Sequence, residues 1–188
     1  MLIAGVDYSL TTPSICVTKY TDSFTFGECQ FYFLTSKQKL ACKHLHGKII
    51  GKLHYPYLTA EQRYDNISQW AIDVLNTVQF LVLEDYAFAA KGRVFHIGEN
   101  TGLLKHQLWR FKKHFEVAAP TTIKKFATGK GNAKKEQMYE AFLAETECDL
   151  MKLFDMHNVD SPINDIVDSF YMTKYAHRLY GEAKSKRR

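Results

Sequence analysis

SPINDIVDSFYM, residues 161–172, decides how the chain is to be read. Ser161 is a candidate N-cap, and Pro162 suits a first helical position. Ile163, Ile166, Val167, Phe170 and Tyr171 then recur at helical spacing, so a helix is expected from about Pro162 to Tyr180. Asp165 and Asp168 interrupt this apolar pattern. Three residues apart, they point to one side of the helix, and Met172 and Ala176 share that side. An exposed polar face is therefore a poor explanation. Buried carboxylates without partners are costly, so a lysine or a divalent metal must meet them.

Two further carboxylates stand where apolar runs end. LIAGVD (2–7) reads as a buried strand closing on Asp7, and FLVLED (80–85) as a strand ending in Glu84. SICVTKY (14–20) and CQFYFLT (29–35) are rich in β-branched and aromatic residues and complete an antiparallel meander with the first strand. FEVAAP (115–120) is a fifth strand, stopped by Pro120. TAEQRYDNISQWAIDVLNTV (59–78) is a helix, with Thr59 and Gln62 as its capping box and Tyr64, Ile67, Ala71, Val74 and Val78 as its buried stripe. HIGENTGLLKHQLWRF (96–111) is another, and its Gly98 and Gly102, four apart, call for something packed closely there. PTTIKKFATGKGNAKKEQMYEAFLAE (120–145) gives a short helix, a turn at Gly129 and Gly131, and a helix capped by Asn132. The expected fold is α/β: a mixed five-stranded sheet, strands 1–3 antiparallel and the rest added in parallel, with helices on both faces. Residues 36–54 hold five lysines, three histidines and no acid, and read as a long basic loop. Trp70 and Trp109 are assigned to packing. Residues 1–181 read as a single domain and 182–188 as a basic tail.

With 188 residues, 46% of them hydrophobic, the chain can bury a real core. It has no apolar run long enough for a membrane span. Residues 1–13 lack the basic and apolar regions of a secretion signal, and the four cysteines show no paired spacing, so a cytoplasmic setting is expected, in a bacterial or phage-infected cell. The net charge of +5 is unevenly spread: residues 91–135 carry eleven basic side chains against two acidic ones. A polyanion is the natural partner for such a block. TGKGN (128–132) lacks the Lys-Ser/Thr ending of a phosphate loop, so no nucleotide cofactor is expected. Cys42, His44 and His46 fit no common zinc spacing, and His177 reads as a helix-end histidine.

In open α/β sheets, sites form beyond the carboxyl ends of the strands. If the strands bearing Asp7 and Glu84 are neighbours, the two acids converge there, and a final helix crossing above adds Asp165 and Asp168. Four carboxylates suit hard cations, Mg²⁺ with Mn²⁺ as a substitute, and in particular a two-metal phosphodiester site. An Asp-x-x-Asp alone occurs by chance on many helices. A strand-end Asp, a strand-end Glu and a helical Asp-x-x-Asp in that order are far more specific.

With these acids in this order, the chain resembles the RuvC-type Holliday-junction resolvases of the RNase H-like superfamily. AGVDYSLTTPSICV is similar to the family's first strand and turn, FLVLEDYAF to its fourth strand, and INDIVDSFYMTKYAH to its closing helix. IGENTGLLKHQL resembles the helix whose glycines allow close packing at the family's dimer interface, and APTTIKKFATGKGNAKKEQM its lysine-bearing segment. Tyr8, Ser9, Leu10 and Thr11 depart from the flexible turn the family carries after its first acid. The resemblance, spanning about residues 2–178, implies a homodimer that binds a four-way DNA junction and cuts it by paired symmetric nicks, in recombination and repair. It implies two metal ions on Asp7, Glu84, Asp165 and Asp168, with Lys124 and Lys135 beside the scissile phosphate. Lys91, Arg93, Lys125, Lys130 and Lys134 would hold backbone phosphates, and Tyr86 or Phe88 would stack on unpaired bases. The competing expectations are a relaxed nuclease on flaps, forks or RNA–DNA hybrids, and a branched-DNA binder that does not cut. A phage or viral origin suits a small resolvase with an unusual basic loop.

Overall fold

Every residue from Ile3 to Asp7 of the first strand, β1 (Leu2–Asp7), is buried. That is why the segment is an unbroken apolar run: a strand covered on both faces has no solvent side to alternate toward. In the computed structural model, which describes residues 1–85 and 94–186, β1 sits inside a seven-stranded sheet. The other strands are β2 (Ser14–Lys19), β3 (Gln30–Thr35), β4 (Lys43–His44), β5 (Ile49–Leu53), β6 (Phe80–Glu84) and β7 (His114–Ala118), in the order β4-β5-β3-β2-β1-β6-β7. β1, β2 and β3 pair antiparallel, and β6 and β7 extend the sheet in parallel from β1. The five expected strands are thus present in the expected arrangement. Residues 43–53 are a correction to the reading as a loop: they form β4 and β5, with β5 parallel to β3 and Ile49 and Gly51 buried.

The helices are α1 (Ala60–Val74), α2 (Val94–Arg110), α3 (Pro120–Thr128), α4 (Lys135–Thr146), α5 (Leu150–Phe154) and α6 (Ile163–Lys186). They cover both faces. Ala4, Val6, Leu81 and Leu83 pack with Ile67, Trp70, Leu104 and Leu108 of α1 and α2. Ile3, Phe31, Phe33 and Val82 pack with Ile123, Phe142, Phe170 and Met172 of α3, α4 and α6. α6 lies directly on β1 at Gly5, where an added Cβ would stand 2.3 Å from the Thr173 nitrogen. Only glycine permits that approach. The helix is also fixed to β2, since the Thr173 hydroxyl donates to the Cys16 carbonyl at 3.0 Å and Ser14 and Ser169 pair their hydroxyls at 3.0 Å.

Several local expectations change. α4 starts at Lys135 with Lys134, not Asn132, at its N-cap, and the Gln137 side chain accepts from the Lys134 backbone N–H. α6 runs on to Lys186, through residues expected to form a frayed tail. Trp109 is 72% exposed rather than packed, because α2 buries Asn100, Thr101, Leu104 and Leu108 and turns Trp109 the other way. Gly98 and Gly102 lie on that same outer side, where a methyl group added to either would have nothing within 4 Å. Among the described residues, no helix is long and apolar enough to cross a membrane.

Candidate metal-binding site

Strand periodicity aims the first two acids. On β1, Ile3 and Gly5 face α6, so Asp7 does too. On β6, Phe80 and Val82 face the same layer, and Glu84 follows them. β1 and β6 are parallel neighbours, with Val6 beside Leu83, so both acids leave the sheet at the same carboxyl end. α6 crosses over this end and brings Asp165 and Asp168 from its first two turns. Asp7 and Asp165 are buried, and Glu84 and Asp168 are partly open.

The four groups feel one another. Burial, reinforced by the charges of Glu84, Asp165 and Asp168, pushes the Asp7 carboxyl well above its ordinary range. Burial pushes Glu84 up to about 7, with Asp165 adding to it and Lys124 opposing it. Asp168 also rises to about 7, by burial first and then through Glu84 and Asp165, again against the pull of Lys124. Asp165 rises to about 6, burial being tempered by hydrogen bonds from Ser161, Asn164 and its own backbone. Among the described residues, no group of three or more His, Cys, Asp or Glu side chains is gathered closely enough to hold a metal ion as the side chains stand.

These residues nevertheless fit a hard divalent cation. The donor set is all oxygen, which such cations require. One Asp165 oxygen, Oδ2, is buried with no hydrogen-bond partner, while Oδ1 accepts from Asn164 at 3.1 Å. A buried, unpaired carboxylate oxygen costs free energy unless something positive meets it. Beside Asp7 and Glu84 a cleft of about 270 Å³ is lined by Tyr8, Leu10, Ile97, Asn100 and Thr101. A larger cavity, about 980 Å³, lies away from the acids between β7 and the end of α6.

The structure brings Lys124, on α3, to the acids: its charge acts on both Glu84 and Asp168. It does not bring Lys135 there. Lys135, the first residue of α4, forms an ion pair with Asp160 in the connection before α6. Lys125, Lys130 and Lys134 are exposed around α3 and the start of α4. Tyr86, Phe88, Lys91 and Arg93 lie outside the described residues. Sequence reasoning missed Ser161 and Asn164 as partners of Asp165, although both flank it within the same short segment. It also missed Asn100, whose buried amide has no partner among the described residues.

No family model and no curated protein sequence matches the chain. Solved structures do. A RuvC structure from Thermus thermophilus superposes with a TM-score of 0.58 at 16% identity, over 98% of this chain and 97% of that one. T. thermophilus RuvC in complex with a Holliday junction substrate gives 0.63 at 14% identity, over 96% of each chain. At such identities the likeness speaks for architecture, and the sheet order, the crossing of α6 and the near-complete coverage agree: this chain has the RNase H-like fold of the RuvC resolvases.

Proposed function

We propose that the chain is a divalent-metal-dependent endonuclease that resolves four-way DNA junctions as a homodimer, by paired nicks on opposed strands. The observation that carries this reading is the meeting of Asp7, Glu84, Asp165 and Asp168 beside Lys124 at the carboxyl end of β1 and β6. Four acids raised by burial first, and for Asp7, Glu84 and Asp168 by neighbouring carboxylates as well, destabilise the fold at neutral pH unless cations occupy them, and a polyanionic substrate would worsen the repulsion. A set of this size suits two ions, Mg²⁺ or Mn²⁺, which when bound supply Lewis-acid polarisation and a more acidic water.

The chain's own groups do the rest. The carboxylates of Asp7, Glu84, Asp165 and Asp168 would hold the cations, which would supply Lewis-acid polarisation of the scissile phosphate. Lys124 offers a positive charge next to Glu84 and Asp168, where it counters the charge that builds on the phosphate in the transition state. Lys135 reaches the phosphate only by exchanging Asp160 for it. The exposed Lys125, Lys130 and Lys134 hold backbone phosphates, which gives affinity without sequence information. Lys91 and Arg93 are assigned the same role, and Tyr86 or Phe88 the stacking on open bases at the crossover.

The dimer rests on α2. Phe95, 84% exposed, shares an uncovered helix face with Gly98, Gly102 and Trp109, opposite the buried stripe. Two small residues four apart between large aromatic ones allow a second helix to approach closely, and a two-fold pair of sites suits a two-fold junction. The junction bound to one of the RuvC structures supports the choice of substrate.

The test uses a labelled immobile four-way junction, a fork and a linear duplex, each with Mg²⁺ or with EDTA. Symmetric nicks in the junction alone, lost in EDTA and with Asp168→Asn, are expected. Equal cutting of all branched substrates would make it a relaxed nuclease, and tight binding without product under any divalent metal would overturn the assignment of the four acids.

A further inference from the structure

The basic segment that forms β4 and β5 has no part in the site described so far. Residues 36–58 contain five lysines, three histidines and no acid. β5 runs parallel to β3, which runs with β1, so β5 ends at the same edge of the sheet as Asp7 and Glu84. There the chain exposes a cluster of large side chains: Tyr55 at 59%, Tyr57 at 44% and Leu58 at 95%, next to exposed Lys52.

This cluster is held rigidly. The His54 backbone N–H donates to the Thr35 carbonyl, and its Nε2 pairs with the Thr11 carbonyl at 2.8 Å. Arg63 of α1 packs its guanidinium over the Tyr57 ring, 5.1 Å from the centroid, and donates to the Leu10 carbonyl at 2.7 Å. Asn66 donates to the Pro56 carbonyl, and the Leu58 N–H donates to Gln62 Oε1. Thr11 and Leu10 belong to the turn that follows Asp7, so the segment is tied to the edge of the candidate site itself.

Exposed aromatic side chains on a fixed turn are costly to leave in water and cost little entropy to dock. The charge at this edge decides the partner: Lys37 after β3, Lys52 on β5 and Arg63 on α1 outnumber Glu61, a balance that complements a polyanion rather than a basic protein surface. We propose that residues 52–58 form a second DNA contact, which seats the sugar–phosphate backbone of one duplex arm, with Lys52 on a phosphate and Tyr55 and Leu58 against deoxyribose. This inference rests on the reading of the chain as a branched-DNA nuclease. β5 lies three strand spacings from β1, about 14 Å. At a rise of about 3.4 Å per base pair, the contact falls roughly four base pairs from the cut.

The experiment is hydroxyl-radical footprinting of an immobile four-way junction, with equilibrium binding at several salt concentrations, using the wild type, Lys52→Glu, Tyr55→Ala and Tyr55→Phe. Both positions are at the surface, and equal melting temperatures check that each variant is folded. Protection about four base pairs from the crossover is expected to vanish with Lys52→Glu and Tyr55→Ala, while protection at the crossover persists. Lys52→Glu should weaken junction binding at least fivefold at low salt and lower the slope of log K against log salt by about one. Tyr55→Phe should retain the footprint. Unchanged footprints and salt dependence in Lys52→Glu and Tyr55→Ala overturn the second contact alone. A wild type that neither binds nor cuts junctions overturns the functional reading, and the inference with it.

Discussion

α6 and α2 each meet glycine, and they meet it differently. Under α6, Gly5 is filled by the helix backbone so closely that no methyl fits. On α2, Gly98 and Gly102 face open space. The first glycine is explained within the chain, by a helix that must lie flat on β1 to deliver Asp165 and Asp168. The other two have no such explanation within the described residues, and the partner copy proposed above would supply one. On the proposed reading, helices with the same tolerance for close approach serve separate ends, one assembling the acids and the other pairing subunits.

That contrast can be broken from either side. Asp168→Asn removes an acid delivered by α6 and leaves α2 untouched. Cleavage in Mg²⁺ should fall more than about 100-fold, while sedimentation still reports the same oligomer. Gly5→Ala should cost about 1–3 kcal/mol in urea unfolding, because backbone rather than a flexible side chain stands in the way, and cleavage should fall with it. Gly98→Ala and Gly102→Ala have the opposite sign for the isolated subunit, each gaining up to about 1 kcal/mol of helix propensity. Gly102→Leu should instead shift sedimentation toward the monomer without loss of folded structure.

Titration sharpens the same contrast. Glu84 and Asp168 sit near 7 and Asp165 near 6 in the folded chain, against ordinary values of 4.5 and 3.8. Raised carboxyls stabilise the folded state below about pH 4, and that contribution is lost as pH climbs through 6 to 7. In EDTA, the melting temperature of Asp168→Asn should therefore exceed that of the wild type by more at pH 8 than at pH 5. Mg²⁺ should narrow the gap by binding the folded wild type. The smallest effect belongs to α2: Trp109 emission should shift to shorter wavelength with rising protein concentration as its exposed ring is covered, and Gly102→Leu should abolish the shift.

The acids are legible in the sequence because period-two burial and strand ends are local facts. LIAGVD gives β1 residue for residue, and parity alone turns Asp7 and Glu84 toward one layer. β4 and β5 are hidden because lysines around Ile49 and Gly51 make a short alternating strand look like solvated loop. Residue type alone assigns Trp109 to the core, and it carries no information about which side of a helix the core occupies. Only the family resemblance puts Lys135 beside the phosphate, and its ion-pair partner is Asp160, twenty-five residues away in sequence and invisible to any local pattern.

The seat of α6 on Gly5 has a consequence for biosynthesis. Asp7 is made before the rest of the sheet, and Asp165 and Asp168 come after all seven of its described strands. The acid cluster cannot exist on a growing chain, however well its sheet has folded, until α6 has left the ribosome and docked on β1. A nascent or truncated product lacking that helix carries the lysines of α3 and α4 but not the completed acid cluster, so whatever chemistry the four acids support waits on the docking of α6.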